Sequence, residues 1–177
     1  MKVTLVHPAG FNFVPGQPDI VVLANRMAPV GILSLAAWLE KHGHPTAVHD
    51  CLGPRAPKGI EANADLVLAT EPELVGFSAT TAGFLDAVDM AACIKAKRPE
   101  VKIIFGNVHV SSIGAPLLEH FPEIDYLCMG EGEGPLLDLA DGKPPETIPN
   151  LVYRGDSGIV TNPRRPRIQD LDELPFP

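Results

Sequence analysis

The sequence predicts an α/β fold built on a parallel sheet, and three observations carry that prediction. Residues 74–80 (LVGFSAT) and 101–107 (VKIIFGN) are short apolar runs that stop on small polar residues. Strands buried on both faces read as such continuous runs, with ligand-facing loops at their carboxyl ends. A helical stretch and Pro99 separate the two runs, as a crossover between neighbouring parallel strands requires. The same strand–helix alternation recurs from residue 3 to residue 139, the pattern of an open sheet covered by helices.

Residues 3–6 form the first strand, which ends at His7-Pro8-Ala9-Gly10. The stretch that follows, with Phe11, Asn12, Phe13, Pro15, Gly16 and Pro18, is a long loop at a strand's carboxyl end, where loops usually have a task. Pro29-Val30-Gly31 opens a helix with Ile32, Leu35, Ala36 and Leu39 on one face. Lys41-His42-Gly43-His44 closes it with cations and a stop glycine. Residues 46–49 are the second strand, ending at Asp50, and residues 60–69 the second helix. Residues 74–77 are the third strand. Residues 84–97 make the third helix, with Phe84, Ala87, Val88, Ala91 and Ile94 on one face. Residues 101–105 are the fourth strand, 112–120 the fourth helix and 124–129 the fifth strand. Gly130-Glu131-Gly132-Glu133 leads into a last helix at 135–139. Right-handed crossovers turn this order into a five-stranded parallel sheet with helices on both faces. The expected strand order is 2-1-3-4-5, flavodoxin-like (Rossmann-like), with the switch point between strands one and three.

The pattern changes at Asp141, so residues 1–141 read as the α/β domain and 142–177 as a short hairpin and connector. Gly142-Lys143-Pro144-Pro145 is a linker. Residues 150–154 and 158–161 flank Gly155-Asp156-Ser157 as a hairpin. The Pro- and Arg-rich end, closing on Leu174-Pro175-Phe176-Pro177, reads as a connector toward a further domain.

The 177 residues suffice for one good core, and 45% hydrophobic content supports a packed domain rather than disorder. A net charge of −8 argues against a nucleic-acid surface. The one basic cluster, Arg164-Arg165-Pro166-Arg167, reads as a solvated or domain-docking segment. Cys51, Cys93 and Cys128 lie far apart with no CxxC spacing, so the sequence offers no metal-ligand set. An odd, sparse cysteine count fits a reducing cytosol, hence a cytoplasmic protein. The apolar start breaks at His7-Pro8, too short for a signal-peptide core, and no run approaches a membrane span.

The chemistry-bearing residues gather at the strand ends. Ser78, Thr80 and Thr81 offer hydroxyls, Gly106-Asn107 an open backbone and an amide, and Gly130 and Gly132 leave room after strand five. Small residues along a crevice make space for a bulky or flat ligand. The same residue types also serve plain turns and helix caps. His109 can face the ligand, Asp50 can cap a helix or touch a ligand tail, and Glu131 and Glu133 suit a helix N-terminus. A phosphate site after strand one lacks donors, a GxGxxG fingerprint is absent, and a receiver domain's acidic residues are replaced by His7 and Ser78.

The chain resembles the N-terminal cobalamin-binding domain of cobalamin-dependent radical S-adenosylmethionine enzymes. The matching pieces are PVGILSLAAWLEKHGH at 29–44, VGFSATT at 75–81 and IIFGNVH at 103–109. They continue with FPEIDY at 121–126, GEGE at 130–133 and DLDELPFP at 170–177. The resemblance implies a corrinoid across the carboxyl edge of the sheet, held base-off, with its nucleotide tail running between sheet and helices. It implies cofactor contacts from His7, Pro8, Ser78, Thr80, Thr81, Gly106, Asn107, His109, Gly130 and Glu131. Asn107 stands where the family usually has a second glycine. The Asp-x-His-x-x-Gly string that supplies a cobalt ligand in methionine-synthase-like domains is absent; His7 is the nearest imidazole. The resemblance further implies a parent methyltransferase or anaerobic tetrapyrrole cyclase. Its C-terminal domain would carry a [4Fe-4S] cluster and S-adenosylmethionine. The module itself holds the corrinoid and offers no catalytic residue. Two other readings share the layout: a nucleotide-sugar-binding half-domain of a glycosyltransferase, and a non-catalytic interaction module.

Overall fold

The computed structural model describes residues 1–10 and 28–177; the loop expected around Phe11 to Pro18 lies outside them. The strands are β1 (Val3–His7), β2 (Thr46–Asp50), β3 (Leu74–Ser78), β4 (Lys102–Gly106), β5 (Tyr126–Cys128), β6 (Leu151–Gly155) and β7 (Gly158–Thr161). The helices are α1 (Val30–Lys41), α2 (Ile60–Ala69), α3 (Phe84–Lys97), α4 (Val108–Ile113), α5 (Pro116–His120) and α6 (Glu133–Ala140).

The strands form one sheet in the order β2-β1-β3-β4-β5-β6-β7. The first five pair in parallel in the expected order 2-1-3-4-5. The expected count of five is corrected to seven, because the hairpin does not stand apart. β6 pairs antiparallel with β5, setting Leu151 against Cys128 and Val152 against Leu127, and β7 pairs with β6. The physical reason is burial. Leu151 and Val152 are both fully buried on opposite faces, so the hairpin extends both core layers and covers an otherwise open edge of β5. Arg154 of β6 fastens it further, its guanidinium donating to the carbonyls of Leu118, Phe121 and Ile124.

Two apolar layers flank the sheet. α2 to α5 cover one face, over Val6, Val75, Phe77, Ile103 and Phe105. α1 and α6 cover the other, over Val3, Leu5, Leu74 and Ile104. The alternation along β3 and β4 is the period of two that a strand imposes. In α1 the expected apolar face holds, with Ile32, Ala36 and Leu39 buried. The single helix expected at 112–120 is instead two. Gly114 sits at φ 73 and Pro116 opens the second piece, so the chain turns between them. Among the described residues, no helix is long and apolar enough to cross a membrane.

Candidate functional site

The chain runs from β1 out to β2 on one side, and β3 packs on the other side of β1. That reversal leaves a crevice at the carboxyl edge, where open α/β sheets take their ligands. A pocket of about 300 Å³ occupies it on the α1–α6 face. Leu5, Gly76 and Ile104 form its floor, Ile32 and Leu35 of α1 one wall, and Leu136 of α6 the other. Ser78, Gly106, Asn107 and the Gly130–Glu133 turn surround its mouth.

Glycine makes this space. A Cβ on Gly76 would approach Leu5 Cδ2 to 2.8 Å, and one on Gly132 would approach Leu35 Cδ2 to 3.1 Å. Phe77, the neighbour of Gly76, points to the other face and fills it. The polar groups sit at the rim. Asn107 Nδ2 donates to Ser78 Oγ at 2.9 Å, which leaves the Ser78 hydroxyl proton free to donate into the pocket. Asn107 adopts φ 85 and ψ −176, a backbone region that belongs almost wholly to glycine. It caps α4 by accepting from the Val108 N–H at 2.6 Å. The position the resemblance assigns to glycine therefore keeps a glycine backbone under an asparagine side chain.

Cys128 borders the pocket from β5. Burial pushes its thiol up to about 12, with the charge of Glu133 adding to the rise. The group is thus a neutral thiol, donating weakly to the Glu131 carbonyl at 3.5 Å, and not a thiolate ligand or nucleophile. Among the described residues, no cluster of three or more His, Cys, Asp or Glu is arranged to hold a metal ion.

The expected site residues divide into two groups. Ser78, Gly106, Asn107, Gly130 and Glu131 come together around the pocket. His7, Pro8, Thr80, Thr81 and His109 lie on neighbouring turns outside its lining. His7 Nδ1 pairs with Asp50 Oδ1 at 3.1 Å, where β1 and β2 end. Pro8 is buried against Gly83. Thr80 and Thr81 are exposed, and His109 joins Thr81 Oγ1 at 3.1 Å while stacking on Phe84. Sequence reasoning missed Gly31, Gly76 and the apolar walls. The signal for Gly76 was present: a glycine inside a strand marks a close approach.

The residues fit the nucleotide tail of a corrinoid. A flat heteroaromatic ring needs an apolar slot without a side chain at its floor, and Gly76 provides that. Its ring nitrogen needs a donor, and the Ser78 hydroxyl is free to be one.

The B12 binding domain family matches residues 16–140. An uncharacterized methyltransferase of Pyrococcus horikoshii is 29% identical over all of this chain and 38% of its own length. The anaerobic magnesium-protoporphyrin IX monomethyl ester cyclase of Rubrivivax gelatinosus is 24% identical over 98% of the chain and 32% of its own. TokK of Streptomyces tokunonensis, a cobalamin-dependent radical SAM methyltransferase, is 26% identical over 97% and 24%. The chain therefore spans about a third of these relatives. A structure of the radical S-adenosylmethionine methyltransferase TsrM from Kitasatospora setae, with cobalamin and a [4Fe-4S] cluster bound, shares the fold. It has a TM-score of 0.71 and 21% identity over 99% of this chain and 31% of that one. With the family matched across most of the sequence and a glycine-floored slot at the sheet's switch point, this chain belongs to the B12-binding domain family.

Proposed function

We propose that this chain is the corrinoid-holding module of a radical S-adenosylmethionine enzyme of methyltransferase or cyclase type. The observation that carries the reading is the pocket: an apolar slot with a glycine floor and a single free hydroxyl at its mouth. In this reading the corrin lies across the carboxyl edge and the base is detached from cobalt, its ring entering the slot. Leu5, Ile104, Ile32 and Leu136 exclude water from the tail, and Ser78 donates to its ring nitrogen. Gly106 and Gly130 leave the mouth open for the loop joining base to corrin. Asn107 holds the Ser78 oxygen by donating to it, so the hydroxyl proton is aimed away from Asn107. Thr80, Thr81, His109 and His7 border the same edge and contact the corrin's periphery, while Pro8, packed against Gly83, supports that edge from beneath. When bound, the corrinoid supplies a cobalt centre able to carry a methyl group. The module performs no chemistry of its own. The partner is a C-terminal domain with the [4Fe-4S] cluster and S-adenosylmethionine, a reading supported by how much longer the relatives are. The setting is cytoplasmic, where Cys51, Cys93 and Cys128 stay reduced.

A titration with hydroxocobalamin tests the reading, with cobinamide, which lacks the nucleotide tail, run in parallel. Saturable binding at micromolar protein, with a base-off visible spectrum and weaker cobinamide binding, is expected. Equal affinity for both would remove the tail from the slot, and no spectral change would remove the corrinoid altogether. Ser78→Ala should weaken cobalamin roughly threefold to tenfold, the scale of one hydrogen bond, and leave cobinamide unaffected.

A further inference from the structure

The basic segment near the C-terminus is not absorbed by the cofactor reading, and its contacts follow a pattern. After β7 the chain turns back over the α1–α6 face. Asn162 is buried, its amide donating to the carbonyls of Pro145 (2.7 Å) and Ile148 (2.8 Å). The Arg165 N–H donates to Asn150 Oδ1 at 2.8 Å. The Arg165 guanidinium then reaches α6 and pairs with Asp138, whose side chain is only 8% exposed and also meets Lys143 at 2.6 Å. A notch admits it: a Cβ on Gly134 would overlap the guanidinium. Three residues on, the Ile168 N–H donates to Glu131 Oε2 at 3.0 Å, at the pocket mouth. Lastly the Glu173 carbonyl accepts from Lys41 Nζ at 2.7 Å, at the far end of α1.

The first of these contacts anchor the segment to residues 145–150; the later ones reach α6 at Asp138, the turn at the pocket mouth at Glu131 and the last residue of α1 at Lys41. We propose that residues 162–174 are a strap clasping α1 to α6 across the slot, with Arg165 a positioning residue for corrinoid retention. The proposal rests on the corrinoid reading above. Arg165 touches no cofactor; it fixes α6, and with it Glu131, Gly132 and Leu136. Because the strap binds the same elements that line the slot, holding the strap and holding the ligand favour each other, and that coupling is reciprocal. A domain that follows residue 177 would pull on this strap first, so its position would be felt in the slot.

The test uses the 177-residue chain loaded with hydroxocobalamin. Arg165→Ala and Gly134→Val, which blocks the notch, should each release cobalamin roughly tenfold faster, as expected for coupling between neighbouring sites. Lys143→Ala removes the other cation from Asp138 without loosening the strap. It should lower the melting temperature while leaving the release rate unchanged. Hydrogen exchange on the unmutated chain gives a readout free of folding defects: amides of residues 165–174 should exchange more slowly with cobalamin than without. Unchanged exchange, or release from Arg165→Ala no faster than from Lys143→Ala, overturns the strap while the corrinoid reading stands. A chain that takes up no cobalamin overturns both.

Discussion

The two faces of one sheet are built from adjacent residues and end differently. On β3, Phe77 faces α3 and Gly76 faces α1; on β4, Phe105 and Gly106 repeat the choice. One face is aromatic up to its carboxyl edge. Phe77 and Phe105 lie 4.9 Å apart, and Phe84 meets Phe105 and Phe121 edge-on at 5.7 and 5.2 Å. The other face is aliphatic at depth and empty at the top, leaving about 300 Å³. The lesson is that a strand's period of two separates stability from binding. One set of alternate positions fills space to native density, and the other withholds it.

The comparison breaks most visibly if the filled face is emptied. Phe105 is fully buried, so Phe105→Ala should cost about 3–5 kcal/mol of unfolding free energy, measured by denaturant titration. Cobalamin affinity in the molecules that remain folded should change little. A loss of affinity larger than the loss of stability would show that the faces are not separate. The converse change fills the empty face. A Cβ on Gly106 would meet only Cys128 Cβ, at an ordinary 3.7 Å, so the fold tolerates a side chain there. Gly106→Phe should plug the mouth and weaken cobalamin roughly a hundredfold, about 2.7 kcal/mol. Its melting temperature should stay near that of the parent.

Much of this division was legible in the sequence. The parallel order 2-1-3-4-5 follows from apolar runs spaced by helices, and Ser78, Gly106, Asn107, Gly130 and Glu131 follow from where those runs stop. The seventh and sixth strands were legible as a hairpin but not as part of the sheet. Residues 151–152 show no partner in sequence; only the open edge of β5 in space supplies one. Gly114 and Pro116 were visible breakers, yet the apolar positions around them conceal the division of one helix into two. The pocket walls were missed because Ile32, Leu35, Leu5 and Leu136 read as ordinary core. Nothing local distinguishes a leucine that packs on another leucine from one that packs on a void. Nor does the sequence tell which of the strand-end residues face the same side. His109 and Thr81 join each other beside Phe84, while Ser78 and Asn107 join at the slot.

One half-buried and one buried thiol sharpen the comparison through pH. Cys128 borders the slot and Cys51 packs against the aromatic face, and burial pushes both up to about 12. In the unfolded chain each ionises near its ordinary value of 9.0. Their contribution is therefore fully present below pH 9 and is lost as pH rises toward 12, because only the unfolded state sheds the proton. Stability should fall over that interval. Cys51→Ala and Cys128→Ala should each flatten the fall, followed by chemical denaturation at stepped alkaline pH. An equal slope in both variants and parent would mean the thiols are less buried than the fold requires.

The smallest effect tests whether the open face also carries strain. Asn107 holds φ 85 with ψ −176, where a Cβ is crowded, and sparsely allowed conformations of this kind cost about 1–3 kcal/mol. Asn107→Gly relieves that crowding. It gives back about 0.5–1 kcal/mol, the extra backbone entropy of glycine, and a few tenths for the weaker cap. The net expectation is a gain of between about zero and about 2 kcal/mol in stability, read as a rise in melting temperature. The Ser78 hydroxyl, released from its donor at 2.9 Å, should at the same time lose its orientation. Cobalamin affinity should then fall by a few fold as stability rises. Opposite signs from one substitution are what a strained residue kept for a ligand produces. If stability and affinity rise together, the asparagine is an accident of the turn and the hydroxyl needs no guide.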